Sequence, residues 1–206
     1  NTRGKWPRYF LHKNLKTIYD LFIEKNFELT FFSNPNERET GMFPEDICKR
    51  NIHNKDLNLK GYLNGIKLKQ NHLLFISLPD FHWSFDDNGY TKYGEKKAFF
   101  DFQKSFDIIF NKFHKDEFDH IFVFSDHGYK FNFQLTKEKK FLLLDEERTN
   151  ILMIHRQKNE DNIKFTDKLC GLSQIFYTVE NILNYKSTGL SLLSKKSKEY
   201  IVIEDH

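Results

Sequence analysis

Ile121-Phe122-Val123-Phe124-Ser125-Asp126-His127-Gly128 sets an unbroken apolar run directly before an acid, an imidazole and a glycine. Four consecutive apolar residues fit a strand covered on both faces, as in a parallel sheet flanked by helices. A second stretch, His72-Leu73-Leu74-Phe75-Ile76-Ser77-Leu78, has the same character and stops at Pro79. It too is followed by polar groups: Asp80, His82, Trp83, Asp86 and Asp87. Between these two runs, Phe99, Phe102, Phe106, Ile109, Phe110 and Phe113 recur at helical spacing and predict a long helix over residues 95–113.

The pattern continues outward in both directions. Leu15, Ile18, Leu21 and Phe22 predict a helix over 14–25 with Asn14 as its cap, and Leu29-Thr30-Phe31-Phe32 predicts a short buried strand. Residues 33–45 hold two prolines, two asparagines and a glycine and read as loop. Residues 46–65 are mixed and polar and read as helix and loop. Downstream, 141–144 is a short apolar run, and Ile151-Leu152-Met153-Ile154 reads as a strand. Leu172, Ile175, Phe176, Val179, Ile182 and Leu183 mark a helix, and Tyr200-Ile201-Val202-Ile203 a final strand. Strands alternating with helices predict an α/β protein with a largely parallel central sheet and helices on both faces. No repeat or low-complexity linker divides the chain, so it reads as one domain or part of one.

Composition narrows the function classes. The 206 residues carry a formal net charge of only +3, too small for a basic field that would grip nucleic acid. The 23 Phe and 9 Tyr supply core-building side chains despite a hydrophobic share of 39%, which argues against disorder. Two Cys exclude a disulfide scaffold, and Cys48 and Cys170 lack metal-ligand spacing and read as ordinary thiols. No stretch approaches the ~20 apolar residues of a membrane helix. Both ends read as cut, with no targeting segment at the start, which leaves the compartment open.

In open α/β sheets, ligands sit beyond the carboxyl ends of the strands. The acid and imidazole groups after Leu78 and after Phe124 therefore fall at one sheet edge if their strands are parallel neighbours. Asp126 and His127 offer an oxygen and a nitrogen donor, good ligands for a first-row metal, and Gly128 permits the turn that would aim both at one ion. The plainer alternative is that Asp126 caps a turn and His127 is exposed. His82 is placed to donate a hydrogen bond or a proton to an anionic substrate, or else it packs on Trp83. His12, His53, His72, His114, His120 and His155 have no comparable setting and read as surface or core histidines. Lys195-Lys196-Ser197-Lys198 reads as a solvated face.

Taken in order, these motifs resemble the sulfatase / alkaline-phosphatase superfamily, in particular sulfatase-like and phosphoethanolamine-transferase-like proteins of bacterial cell-surface polysaccharide systems. Ser125-Asp126-His127-Gly128 is similar to the family's metal-binding Asp-His-Gly at a strand end. Asp80-Phe81-His82-Trp83 resembles its Asp-Pro-His segment, with Phe81 in place of Pro. The helix and strand at 15–31 resemble the pair that follows the family's nucleophile. The strand after Arg148, the turn Thr166-Asp167-Lys168-Leu169 and the loop Gly189-Leu190-Ser191-Leu192-Leu193 resemble later family segments.

The resemblance implies an alkaline-phosphatase-like fold, with residues 1–206 forming the C-terminal part of one such domain that is incomplete on its N-terminal side. It implies a divalent metal ion (zinc, manganese, calcium or magnesium) held by Asp126 and His127, with His82 as a catalytic group at the transferred sulfate or phosphate. The implied activity is hydrolysis of a sulfate or phosphate ester, or transfer of a phospho-group, on a cell-surface glycan; the compartment, bacterial cytoplasm or periplasm, stays open. The family's nucleophile and first metal carboxylate precede the helix near Asn14, so these residues alone are expected to be inactive. Thr40-Gly41 superficially resembles a nucleophile context but falls after the first helix–strand pair. The competing expectation is a non-catalytic module of the same fold that binds an anionic glycan through Trp83, Tyr90, Lys92, Lys96 and Lys97.

Overall fold

The computed structural model describes residues 16–32, 58–78, 80–89, 91–126, 128, 151–160, 170–187 and 189–195, without the side chains of His82, Trp83 and Asp86. The expectations for Asn14, 33–45, 141–144, Arg148, 166–169 and 200–203 lie outside these residues, as do Thr40, Cys48, Tyr90 and His127. The chain divides into two compact units, Asn1–Trp83 with Ala98–Lys112, and Ser84–Lys97 with Phe113–His206.

In the first unit, helix α1 (Ile18–Glu24) begins where Thr17 and Asp20 cap each other. Thr17 Oγ1 accepts from the Asp20 N–H at 3.3 Å, and Asp20 Oδ2 accepts from the Thr17 N–H at 2.7 Å. This reciprocal pair satisfies two otherwise orphaned groups and starts the helix later than the apolar spacing predicted. Strand β1 (Glu28–Phe32) pairs in parallel with β2 (His72–Ile76), in a register running from Glu28 opposite His72 to Phe32 opposite Ile76. Parallel partners need a crossover, and the connection includes helix α2 (Leu59–Asn64). Asn58 caps α2 by accepting from the Gly61 N–H at 2.9 Å. Leu63 is fully buried, and the Tyr62 hydroxyl donates to the Phe31 carbonyl at 2.7 Å, which binds α2 to β1. Tyr19, Phe31 and Phe75 form an aromatic cluster with ring centroids 5.0–6.2 Å apart.

Helix α3 (Asp80–Asn88) opens four residues beyond the last residue of β2, and α4 (Lys92–Lys112) follows. The long helix thus starts three residues earlier than predicted. Its aromatic face is also less covered than the spacing implied: Phe99 is 52% and Phe110 40% exposed, while Ala98 is fully buried. Phe102, Phe106 and Phe110 instead pack on one another as tilted rings at i,i+4 spacing, with centroids 4.6 and 5.7 Å apart, and Phe81 of α3 meets Phe99 and Phe102.

In the second unit, a 3₁₀ turn (Lys115–Glu117) leads into β3 (His120–Phe124), which pairs with β4 (Met153–Gln157). This pair is antiparallel, with Ile121 opposite Arg156 and Phe122 opposite His155. It departs from the largely parallel sheet expected, because an apolar run carries no information about strand direction. Arg156 fixes the approach to β3: its guanidinium donates to Asp116 Oδ1 at 2.5 Å and to the Lys115 carbonyl at 3.0 Å. Helix α5 (Ser173–Ile182) buries Ile175, Thr178 and Val179. Thr178 Oγ1 donates to the Gln174 carbonyl at 2.6 Å and accepts from the Leu192 N–H at 2.8 Å, tying the segment after Gly189 to the helix. The described residues therefore form a mixed α/β structure with two two-stranded sheets, one parallel and one antiparallel.

Candidate functional site

Two strand ends carry the polar groups of interest. β2 ends at Ile76, and Asp80 is the first residue of α3. Ser105 of α4 donates to Asp80 Oδ1 at 2.9 Å, and Oδ2 is buried without a hydrogen-bond partner. Burial pushes this carboxyl above the ordinary carboxylate range; the Ser105 hydrogen bond opposes that rise, and the nearby Asp101 charge adds to it. A carboxyl that keeps its proton more readily than usual is suited to donate one. His82 stands in the first turn of α3, but its side chain lies outside the described part of the helix.

At the other strand end, Ser125 extends the β3–β4 ladder: its N–H donates to the Leu152 carbonyl at 3.1 Å, and its Oγ accepts from the Leu152 N–H at 3.0 Å. The serine between strand and acid is therefore a structural clamp. Asp126 follows it with an exposed side chain, and His127 lies outside the described residues. Of the three residues singled out in the sequence, Asp126 alone has a described side chain. His82 belongs to the first unit and Asp126 to the second. Among the described residues no group of three or more His, Cys, Asp or Glu side chains is placed to hold a metal ion.

Other histidines have local roles. His72 Nε2 lies 2.9 Å from Thr30 Oγ1 across the parallel pair, and His114 Nδ1 accepts from the Asp116 N–H at the start of the 3₁₀ turn. His120 and His155 were read from sequence as surface or core residues, yet they meet: His120 Nδ1 lies 3.1 Å from His155 Nε2, with the rings stacked at 10° and centroids 5.3 Å apart. Burial lowers the affinity of both for a second proton, and for His155 the neighbouring His120 adds to that. The signal was period-2 spacing, His120/Phe122/Phe124 against Met153/His155/Gln157, which becomes visible once β4 is extended past Ile154 and reversed.

Searches against protein-family models, curated proteins and solved structures find no match to the chain.

Proposed function

We propose that the chain is part of a metal-dependent enzyme that cleaves or transfers a sulfate or phosphate ester of a cell-surface glycan, on an alkaline-phosphatase-like scaffold. The observation that carries this reading is the exposed carboxylate of Asp126, two residues beyond the last residue of a five-residue strand, with an imidazole and a glycine next in sequence. That donor set, one hard oxygen and one borderline nitrogen, suits a divalent first-row cation. Asp126 and His127 would hold the ion, which when bound supplies positive charge to the ester oxygens and to the attacking group. The Ser125 clamp on Leu152 keeps the strand end from fraying and so fixes where Asp126 leaves the sheet. His82 would hydrogen-bond the transferred group and move a proton to or from the leaving oxygen. The parallel β1–β2 pair followed by α3 supports the scaffold assignment, because it carries position 82 on the first turn after a strand's carboxyl end.

The test is hydrolysis of an aryl sulfate and an aryl phosphate by the full-length protein, with and without added divalent metal. Asp126→Ala is expected to lower kcat/KM by at least ~100-fold and to reduce bound metal, as loss of a ligand should. Unchanged turnover and unchanged metal content in Asp126→Ala would remove the reading.

A second reading, a non-catalytic module that binds an anionic glycan, draws on the start of α4. There Tyr93 is 66% exposed between the exposed Lys92 and Lys96. An aromatic face flanked by ammonium groups can stack on a sugar ring and pair with its sulfate or phosphate. Retention of the full-length protein on a sulfated glycan, lost in Tyr93→Ala and unaffected by Asp126→Ala, is the result that favours it.

A further inference from the structure

We propose that the imidazoles of His120 and His155 form a two-nitrogen clasp for a zinc ion on one face of the β3–β4 sheet. The register places Phe122 opposite His155, so His120, two residues before Phe122, and His155 lie on the same face as a diagonal cross-strand pair. Their facing nitrogens are 3.1 Å apart. Two imidazole nitrogens each ~2.0–2.1 Å from one zinc ion, with that separation between them, subtend about 100° at the metal. This lies between the ~90° of a cis octahedral pair and the ~109° of a tetrahedral pair, so the nitrogen separation matches the bite of a chelate, and a turn of each ring away from the hydrogen-bonded orientation aims both lone pairs at one ion.

Neighbouring groups favour a cation there. Phe122 stacks on the His155 ring with centroids 4.5 Å apart and holds it upright. The carboxylate of Asp119 acts on His120 and that of Glu160 on His155, each stabilising positive charge at its histidine. Asp119 also lies 3.7 Å from the Lys158 ammonium, which offsets part of its field. In the metal-free pair one ring N–H donates to the other ring's nitrogen. Zinc would replace that proton, which moves to the far nitrogen of the same ring, so both rings bind as neutral ligands and no net charge is lost from the pair. Water completes the coordination, which makes this an open site. The clasp stands apart from the reading of Asp126 and His127 and does not depend on it.

The experiment is a calorimetric titration of the metal-free protein with zinc chloride at about pH 7.5, where both imidazoles are neutral. Zinc is added to the wild type, to His120→Gln, to His155→Gln and to Asp126→Ala. Either histidine variant is expected to weaken binding at this site at least about fivefold, because a chelate becomes a single ligand, while Asp126→Ala retains it. Histidine-ring NMR provides a second reading: zinc should move or broaden the signals of His120 and His155 in the wild type and in Asp126→Ala alike. A loss smaller than fivefold in the histidine variants, or loss of this binding in Asp126→Ala, would overturn the proposal. So would His120 and His155 signals unmoved by zinc at about 1 mM, or no zinc uptake by the wild type at that concentration.

Discussion

Asp80 carries an acid where burial disfavours its charge, and the sign of the consequence follows from proton linkage. Its folded pKa lies above the ordinary value, chiefly through burial. Between the ordinary carboxylate range and the raised value, the folded chain binds more protons than the unfolded one, so this group makes stability fall as pH rises through that window. Below the ordinary range both states are protonated and the effect vanishes. Asp80→Asn keeps an acceptor for the Ser105 hydroxyl and removes the titration. The expected outcome, read by denaturant unfolding at a series of pH values, is that stability relative to wild type climbs with pH across the window and then levels. The readout is this slope and not the absolute difference, since the Asn amide meets the same unpartnered position at every pH. Thr178 tests a different residue-scale term. It is fully buried and both donates and accepts. Thr178→Val leaves the Leu192 N–H without its acceptor and should cost about 1–3 kcal/mol in chemical denaturation.

Elements here are held by a few deep side chains. Leu63 joins the short helix α2 to the core with no exposed surface, and six residues are too few for a helix to persist without such packing. Leu63→Ala should destabilise by about 2–5 kcal/mol in equilibrium unfolding. The sequence signalled this region poorly, because its apolar residues are sparse and the cap at Asn58 resembles loop chemistry. Strand β4 shows a related difficulty. An apolar run pointed to 151–154, whereas the strand is Met153–Gln157, with His155, Arg156 and Gln157 inside it. Arg156 is tolerated there because its head group is satisfied by Asp116 and the Lys115 carbonyl. A pair partly open to solvent admits polar residues that a strand covered on both faces would not. By contrast, β1, β2, β3 and α5 were legible to within a few residues, since each carries an apolar run or a 3.6-residue period, although the side chains of β2 and β3 are half-buried and not covered on both faces.

At the scale of the molecule, the α/β class was legible from alternation of those runs, but strand direction was not. β1 and β2 are parallel and β3 and β4 antiparallel, although Ile121–Phe124 and Leu73–Ile76 look alike as strings. Asp126 was legible as a group delivered at a strand end, because the run before it stops sharply. The His120–His155 contact was not, because it depends on a register between strands separated by some thirty residues. The proposed function rests on a divalent cation held by Asp126 and His127. Its most direct test is anomalous diffraction from crystals of the full-length protein grown with manganese and soaked with orthovanadate. The expected result is a metal peak within about 2.0–2.3 Å of an Asp126 oxygen and a His127 nitrogen, with the vanadate bound at that ion. Absence of a metal peak at these two residues, in crystals that take up the ion, would overturn the assignment.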